Sequence, residues 1–339
     1  MSLTKVYLEN FLALDRMELN PVAGTNILLG RNGTGKTQIL KAIYAITDSM
    51  EGPTLRILLE CFKYGLEKRR LLTEEKHGEI VIDIEDDEVP TKTTTDVIVG
   101  KHDAGDDPDS KEMLVKISSF IGAKRSVYIP VKDMLTHANG LQSMSEKYRD
   151  FPFDRTLTRI IRKAQQWKLK EIPELALNIL PHLEKIMDGK IVIEDDEFYV
   201  KKNDGRFINF AVEAEGFKKI GLLWQLLMNE SITEGSILLW DEPEANLNPE
   251  YLPILVECLL ELSRHGVQTF VSTHNYLFAK YFDVRRKNGD AVAYHALYKD
   301  EEDVICCEKA DRFDELKHNA IMDAYNKLLD EVYGLQVGE

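Results

Sequence analysis

The sequence predicts an α/β fold with a mixed-sheet core, an antiparallel subdomain near the N-terminus and a helical lid insertion. Three observations lead there. An apolar run at 26–29 passes into a Gly-rich turn and then into a helical pattern. Two later apolar runs, at 236–240 and 269–272, end abruptly in polar residues, as buried strands of a parallel sheet do. Helical patterns at 217–228 and 252–262 alternate with those runs.

In chain order, residues 6–8, 17–19 and 26–29 read as strands. In the helix over 38–47, Ile39, Leu40, Ile43 and Ile46 share a face, and Gly52-Pro53 punctuates its end. Residues 54–125 read as an insertion. It opens with a helix over 55–72 and a half-buried strand marked by Ile80, Ile82 and Ile84. From Asp83 to Asp109 ten acidic residues face only Lys92 and Lys101, so a mobile acidic loop is expected. A short apolar strand at 126–129 stops at Pro130, and 133–188 reads as mostly helical. A hairpin joins 191–193 to 198–200, and Asn203-Asp204-Gly205 marks a further turn. A helix over 317–332 closes the pattern. The domain reading is a core of 1–50 and 205–300, an inserted antiparallel and helical region over 51–204, and a C-terminal hairpin end and helix over 301–339.

Composition narrows the function classes. With 43 basic against 58 acidic residues the net charge is −15, which disfavours a protein that coats nucleic acid with its whole surface. No apolar run approaches the roughly 18 residues that span a bilayer, and Lys5 and Glu9 interrupt any signal-peptide core. Cys61, Cys258, Cys306 and Cys307 form no CxxC pair, so inert thiols in a reducing, cytoplasmic compartment are expected.

The strongest motif is Gly30-Arg31-Asn32-Gly33-Thr34-Gly35-Lys36-Thr37, the full G-x-x-x-x-G-K-[ST] pattern of a phosphate loop. Its glycines let backbone N–H groups turn onto phosphate oxygens. Lys36 supplies charge for the outer phosphates, the Thr37 hydroxyl ligates Mg²⁺, and the helix that follows aims its positive end at the anion. Gln38 is counted with these nucleotide contacts. The apolar run at 237–240 then delivers Asp241, read as a Mg²⁺ ligand, and Glu242, read as the general base for an attacking water. Glu244 reads as a solvated neighbour. Phe270-Val271-Ser272-Thr273-His274 ends a second buried strand, placing His274 to reach the terminal phosphate or to order the water.

These motifs occur in the order of the ABC/SMC-type ATPase heads, which the chain resembles over roughly residues 1–50 and 205–280. The loop is similar to the family's GxNGxGKS/T, and Asp241-Glu242-Pro243-Glu244-Ala245-Asn246-Leu247-Asn248-Pro249 looks like its Walker B and D-loop. Asn10-Phe11 and the Ser272-Thr273-His274-Asn275 run fit as well. The likeness is to OLD-family nucleases and other bacterial phage-defence ATPases in particular. It implies ATP and Mg²⁺ as ligands, ATP hydrolysis, and two heads sandwiching two nucleotides as a homodimer. Two segments depart from the pattern. Residues 213–219 stand where the signature segment belongs but hold one glycine, Gly216, and no serine. Gly216 and the helix N-terminus after it remain the donors for a second head's nucleotide. No glutamine follows 127–131, where a Q-loop is expected; Lys132 or Asp133 stands nearest.

Only 65 residues follow His274, short of an ordinary nuclease domain, and no long heptad run is present. The favoured reading is therefore an ATPase subunit that controls a separately encoded nuclease or toxin in anti-phage defence. The alternative is a RecF-like repair or recombination ATPase that binds DNA, and a transporter ATPase subunit ranks third. Arg155, Arg159, Arg162, Lys163, Lys168 and Lys170 come without an intervening acid. On one helix, Arg155, Arg159 and Arg162 share a face. That face reads first as solvated, with an acidic partner or a nucleic-acid backbone as the functional alternatives.

Overall fold

The computed structural model describes residues 2–48, 61–62, 78–85, 93–103, 111–117, 126–133, 135–148, 153–167, 169–195 and 197–334. The chain begins with β1 (Ser2–Phe11), β2 (Leu14–Leu19), β3 (Thr25–Gly30) and α1 (Lys36–Thr47). Next come β4 (Gly78–Glu85), β5 (Thr93–Asp103), β6 (Lys111–Ile117) and β7 (Ser126–Ile129). A helical stretch holds α2 (Ala138–Lys147), α3 (Thr156–Ala164) and α4 (Leu180–Met187). It leads into β8 (Gly189–Glu194), β9 (Glu197–Lys202), β10 (Phe207–Asn209) and α5 (Glu215–Met228). The chain finishes with β11 (Ile237–Asp241), α6 (Leu252–Arg264), β12 (Gln268–Ser272), α7 (Tyr276–Arg285), β13 (Val292–Lys299), β14 (Ile305–Ala310) and α8 (Ala320–Tyr333).

The central sheet runs β14-β13-β3-β12-β11-β7, parallel throughout except for the β13/β14 hairpin. Alternate residues of each strand face opposite layers, as the strand period of two requires. Ile27, Leu29, Leu238, Trp240 and Val271 pack into a core shared with α3, α4, α5, α6 and α7. Leu28, Ile237, Leu239 and Phe270 join the opposite core, built from α1, β1 and β2. Burial on both faces explains why these strands are apolar without alternation. The second sheet, β2-β1-β4-β5-β6, is antiparallel, with Val6 opposite Leu19 on one side and Ile82 on the other. Gln268 locks the two sheets together: its carboxamide donates to the carbonyls of Leu3 and Val22 and accepts from the Leu3 amide, each at 2.8 Å.

Several expectations are corrected. Ser126–Ile129, assigned to the insertion, is the edge strand β7 of the central sheet, pairing in parallel with β11. The acidic stretch expected as a loop contains the end of β4 and all of β5. Its Thr93-Thr94-Thr95 and Val97-Ile98-Val99 runs are β-branched and favour a strand despite the charge. Residues 86–92 and 104–109 of that stretch lie outside the described residues, as does the expected 55–72 helix apart from Cys61 and Phe62, which are helical and buried. The sequence reading also passes over α7 and β13. Cys61 and Cys258 are buried, Cys306 and Cys307 half-buried, and all four thiols are free. Among the described residues no helix is long and apolar enough to cross a membrane.

The basic run is not a basic face. The helix α3 stops at Ala164, where Gln225 and Asn229 take its last carbonyls: Gln225 donates to the oxygen of Ala164 (3.0 Å) and Asn229 to that of Lys163 (2.8 Å). Arg162 and Lys170 are exposed, but Arg159 is buried, and Lys168 lies outside the described residues. Arg159 and Lys163 turn inward onto Asp48, at 3.8 and 3.4 Å. Asp48 is fully buried at the C-terminal end of α1, where the helix dipole disfavours a negative charge, so the two cations offset both dipole and burial. Replacing Asp48 with Ala removes the buried carboxylate that both cations face and is expected to cost more in denaturant unfolding than the roughly 1 kcal/mol of a solvent-screened pair. A loss below about 1 kcal/mol, typical of a solvent-screened pair, contradicts this account of the cluster.

Candidate nucleotide-binding site

The parallel order β3-β12-β11 places three strand ends side by side. Residues 30–37 leave β3, Asp241 and Glu242 end β11, and Ser272, Thr273 and His274 end β12, so the sheet brings the three sequence motifs together.

The loop needs glycine at its entry. Gly30 has φ of 145°, and a Cβ there would lie 2.4 Å from the Leu297 carbonyl oxygen and 2.9 Å from the Thr34 hydroxyl. Arg31, Asn32 and Gly33 are exposed, while Thr34 is buried and donates its hydroxyl to the Arg31 carbonyl (2.9 Å). Gly35 caps α1 in the left-handed conformation without any side-chain cap, which leaves the first helical amides to an anion. Lys36 is buried across the loop, donating to the carbonyls of Gly30 (2.8 Å) and Arg31 (3.0 Å). Burial lowers its ammonium to about 8, against the pull of Asp241 and Glu242. Gln38 turns the other way and accepts from the Ala13 amide at 3.4 Å, tying α1 to the β1–β2 turn.

Asp241 is the junction of the site. Its Oδ2 accepts from the Thr37 hydroxyl at 2.7 Å and from the Tyr128 hydroxyl at 3.4 Å, and its Oδ1 accepts from the Ser272 hydroxyl. Thr37 and Asp241 thus present hydroxyl and carboxylate oxygens within one hydrogen bond of each other. An all-oxygen pair of this kind fits a hard cation such as Mg²⁺.

Glu242 follows with φ of 48°, a left-handed conformation that costs a non-glycine residue about 1–3 kcal/mol. Its amide donates to the backbone oxygen (3.2 Å) and hydroxyl (3.1 Å) of Ser272, and its carbonyl accepts from Lys219 at 2.9 Å. Its carboxylate lies 3.5 Å from Nε2 of His274. Burial, with Lys36 next, holds the His274 imidazole below its ordinary value. His274 also lines a groove of about 480 Å³ with Arg31, Asn32, Tyr276 and Tyr325.

Glu244 is not the solvated neighbour the sequence implies. It is buried and accepts from the Thr273 hydroxyl, and burial pushes its carboxyl up to about 7. Gly216 abuts the chain after Glu242: a Cβ there would meet the Asn246 oxygen at 2.6 Å and the Leu247 Cα at 3.0 Å, which accounts for a glycine at this position. Asp133, one stand-in for the Q-loop residue, instead accepts from the Leu135 and Thr136 amides and lies 3.9 Å from Lys218. Sequence reasoning missed Tyr128 and Lys219. Tyr128 carries no motif. Lys219 did leave a signal: it directly precedes the run 220–228, which is apolar all round a helix save Gly221 and Gln225, the pattern of a helix buried on every side.

Residues 25–279 match the family described as "AAA domain, putative AbiEii toxin, Type IV TA system". Among curated proteins the chain is 46% identical over 44 residues to the DNA replication and repair protein RecF of Shewanella woodyi, which is 13% of this chain and 12% of that one. With RecF of Nitrosococcus oceani the identity is 36% over 76 residues, 22% of this chain and 21% of that one. The chain therefore spans about a fifth or less of these relatives' length. Among solved structures it is similar to the SMC head domain from Thermotoga maritima, with a TM-score of 0.52 and 15% identity over 91% of this chain and 99% of that one. It is also similar to the Smc head domain, with an extended coiled coil and bound to the C-terminal domain of ScpA, derived from Pyrococcus furiosus. That match has a TM-score of 0.56 and 11% identity over 98% of this chain and 99% of that one. The chain belongs to this AAA-domain family and has the P-loop fold of the SMC head domains.

Proposed function

We propose that this protein binds ATP with Mg²⁺, hydrolyses it to ADP and phosphate, and uses the resulting opening and closing of the head to control a separately encoded effector. The observation that carries the reading is the 2.7 Å contact between Thr37 and Asp241, with Glu242 and His274 beside it. Thr37 and Asp241 would hold Mg²⁺, which neutralises charge between the phosphates when bound. Lys36 exchanges its two carbonyl partners for phosphate oxygens. Glu242 takes a proton from the attacking water, and His274, neutral and within reach of Glu242, orders that water toward the terminal phosphate. The exposed side of the loop at Arg31 and Asn32 leaves the nucleotide open to a second copy, whose Gly216 segment would face it.

The family's description, which names a type IV toxin–antitoxin system, supports an output on a second macromolecule; anti-phage defence is the setting this reading gives it. The local likeness to RecF supports the alternative, a DNA-binding repair ATPase. The inward turn of Arg159 and Lys163 takes two of the six cations of 155–170 away from the surface, which weakens the nucleic-acid alternative for that run.

Glu242→Gln is expected to bind ATP normally, hydrolyse it at least about 100-fold more slowly and accumulate as a nucleotide-bound dimer in light scattering. Hydrolysis at the parental rate would remove Glu242 as the base. Lys36→Ala is expected to weaken ATP binding about 10–150-fold. The Lys36 ammonium also sets a pH dependence. It is charged below about pH 8 and neutral above, and phosphate favours the charged form. ATP affinity should therefore fall as pH rises through that value, by up to about tenfold per pH unit, with proton uptake on binding in calorimetry. Affinity that holds flat up to about pH 9.5 would show that Lys36 does not titrate in the free site.

A further inference from the structure

Glu242 combines two features. Its backbone is in the left-handed region, and both its amide and its carbonyl are bound by other elements. The amide is held by Ser272 at the end of β12, and the carbonyl by the ammonium of Lys219, one turn into α5. A non-glycine residue keeps such a conformation only where its surroundings over-determine it. The carbonyl also accepts from the Ala245 amide of its own turn at 3.1 Å, and the Ser272 contact belongs to the sheet itself. The Lys219 contact comes from outside the sheet and is the only side-chain hydrogen bond to the Glu242 carbonyl among the described residues.

Lys219 is itself constrained. Its side chain is buried, and of the carboxylates around it Glu244 acts on it most strongly, followed by Glu242, Asp241 and Glu215. Glu244 in turn accepts from Thr273, the residue before His274. Lys219 thus stands between the segment carrying the Glu242 carboxylate and the segment carrying His274. Its helix reaches the same place by a second close approach, Gly216 against Asn246. Neighbouring Lys218 does something different: it pairs with Glu215 at 2.6 Å and approaches Asp133.

We propose that Lys219 is a positioning residue for hydrolysis: by holding the Glu242 carbonyl it fixes the left-handed turn that aims the Glu242 carboxylate at the attacking water. This rests on the hydrolytic role proposed for Glu242. Because Lys219 touches neither the phosphate loop nor the Thr37–Asp241 pair in any hydrogen bond of the structure, its loss should act on turnover and leave nucleotide affinity in place. A displaced carboxylate loses near-attack geometry, and small displacements cost large factors in rate.

The test uses the full chain with Lys219→Met and Lys219→Arg, each alone and combined with Glu242→Gln. Single-turnover hydrolysis and ATP affinity are measured in all of them. Lys219→Met should slow hydrolysis at least about tenfold with ATP affinity within about threefold, and Lys219→Arg should recover part of the rate. In the Glu242→Gln background Lys219→Met should add less than about twofold, because it acts through the carboxylate already removed. An unchanged rate, or the same loss in both backgrounds, overturns the proposal. Parallel loss of affinity and rate does so too, since it marks a merely structural lysine. Hydrogen exchange on the nucleotide-free protein reads the contact without any activity. Lys219→Met should speed exchange over 242–247 and leave α1 unchanged, and unaltered protection there overturns the proposal. Failure of the hydrolytic reading itself is seen separately, as Glu242→Gln hydrolysing at the parental rate.

Discussion

The carboxylate of Asp241 is where the parts of this molecule meet. It accepts hydrogen bonds from Thr37 at the start of α1, Ser272 at the end of β12 and Tyr128 on β7. These donors are far apart in sequence, yet one buried acceptor gathers them. An ionised carboxyl has room for about four acceptances, so three donors leave capacity for a further ligand. Removing the carboxylate would leave buried hydroxyls unpaired and release the phosphate loop from the sheet. The local fold and the proposed metal site therefore share one group.

The sheet makes that junction possible. Five parallel strands end on one edge, and their double-sided burial sets the heights at which Gly30, Asp241 and Ser272 emerge. Around that edge the protein places buried charges in opposed sets. Lys36 and Lys219 face Asp241, Glu242 and Glu244, while Asp48 at the far end of α1 faces Arg159 and Lys163. Both sets link the helical layer to α1 or to the strand ends.

That the candidate site gathers these segments was legible because the phosphate loop and the Asp241-Glu242 pair are each contiguous in sequence and flanked by clear apolar runs. The hairpin of β8 and β9 and the helices α5 and α6 were legible for the same reason: local period and turn residues define them. What escaped depends on distant partners. A run of cations at 155–170 reads as surface, yet Asp48, over a hundred residues earlier, turns two of them inward. Glu244 reads as solvated because nothing near it in sequence announces Thr273. The contact from Lys219 to Glu242 spans 23 residues and ends on a backbone oxygen, which no side-chain motif encodes. In β5, threonine and aspartate hid a strand whose pairing comes from β4 and β6 rather than from its own alternation.

In the function proposed above, Asp241 with Thr37 makes a nucleotide-dependent metal site. Mn²⁺ in place of Mg²⁺ allows a direct measurement, because free Mn²⁺ is read by electron paramagnetic resonance. Titration in the presence of a non-hydrolysable ATP analogue should find one bound Mn²⁺ per chain. Asp241→Asn should weaken that binding at least about tenfold, while the analogue without metal binds both proteins alike. Equal Mn²⁺ affinity in the two proteins would contradict the account, and the metal would then have to be held elsewhere.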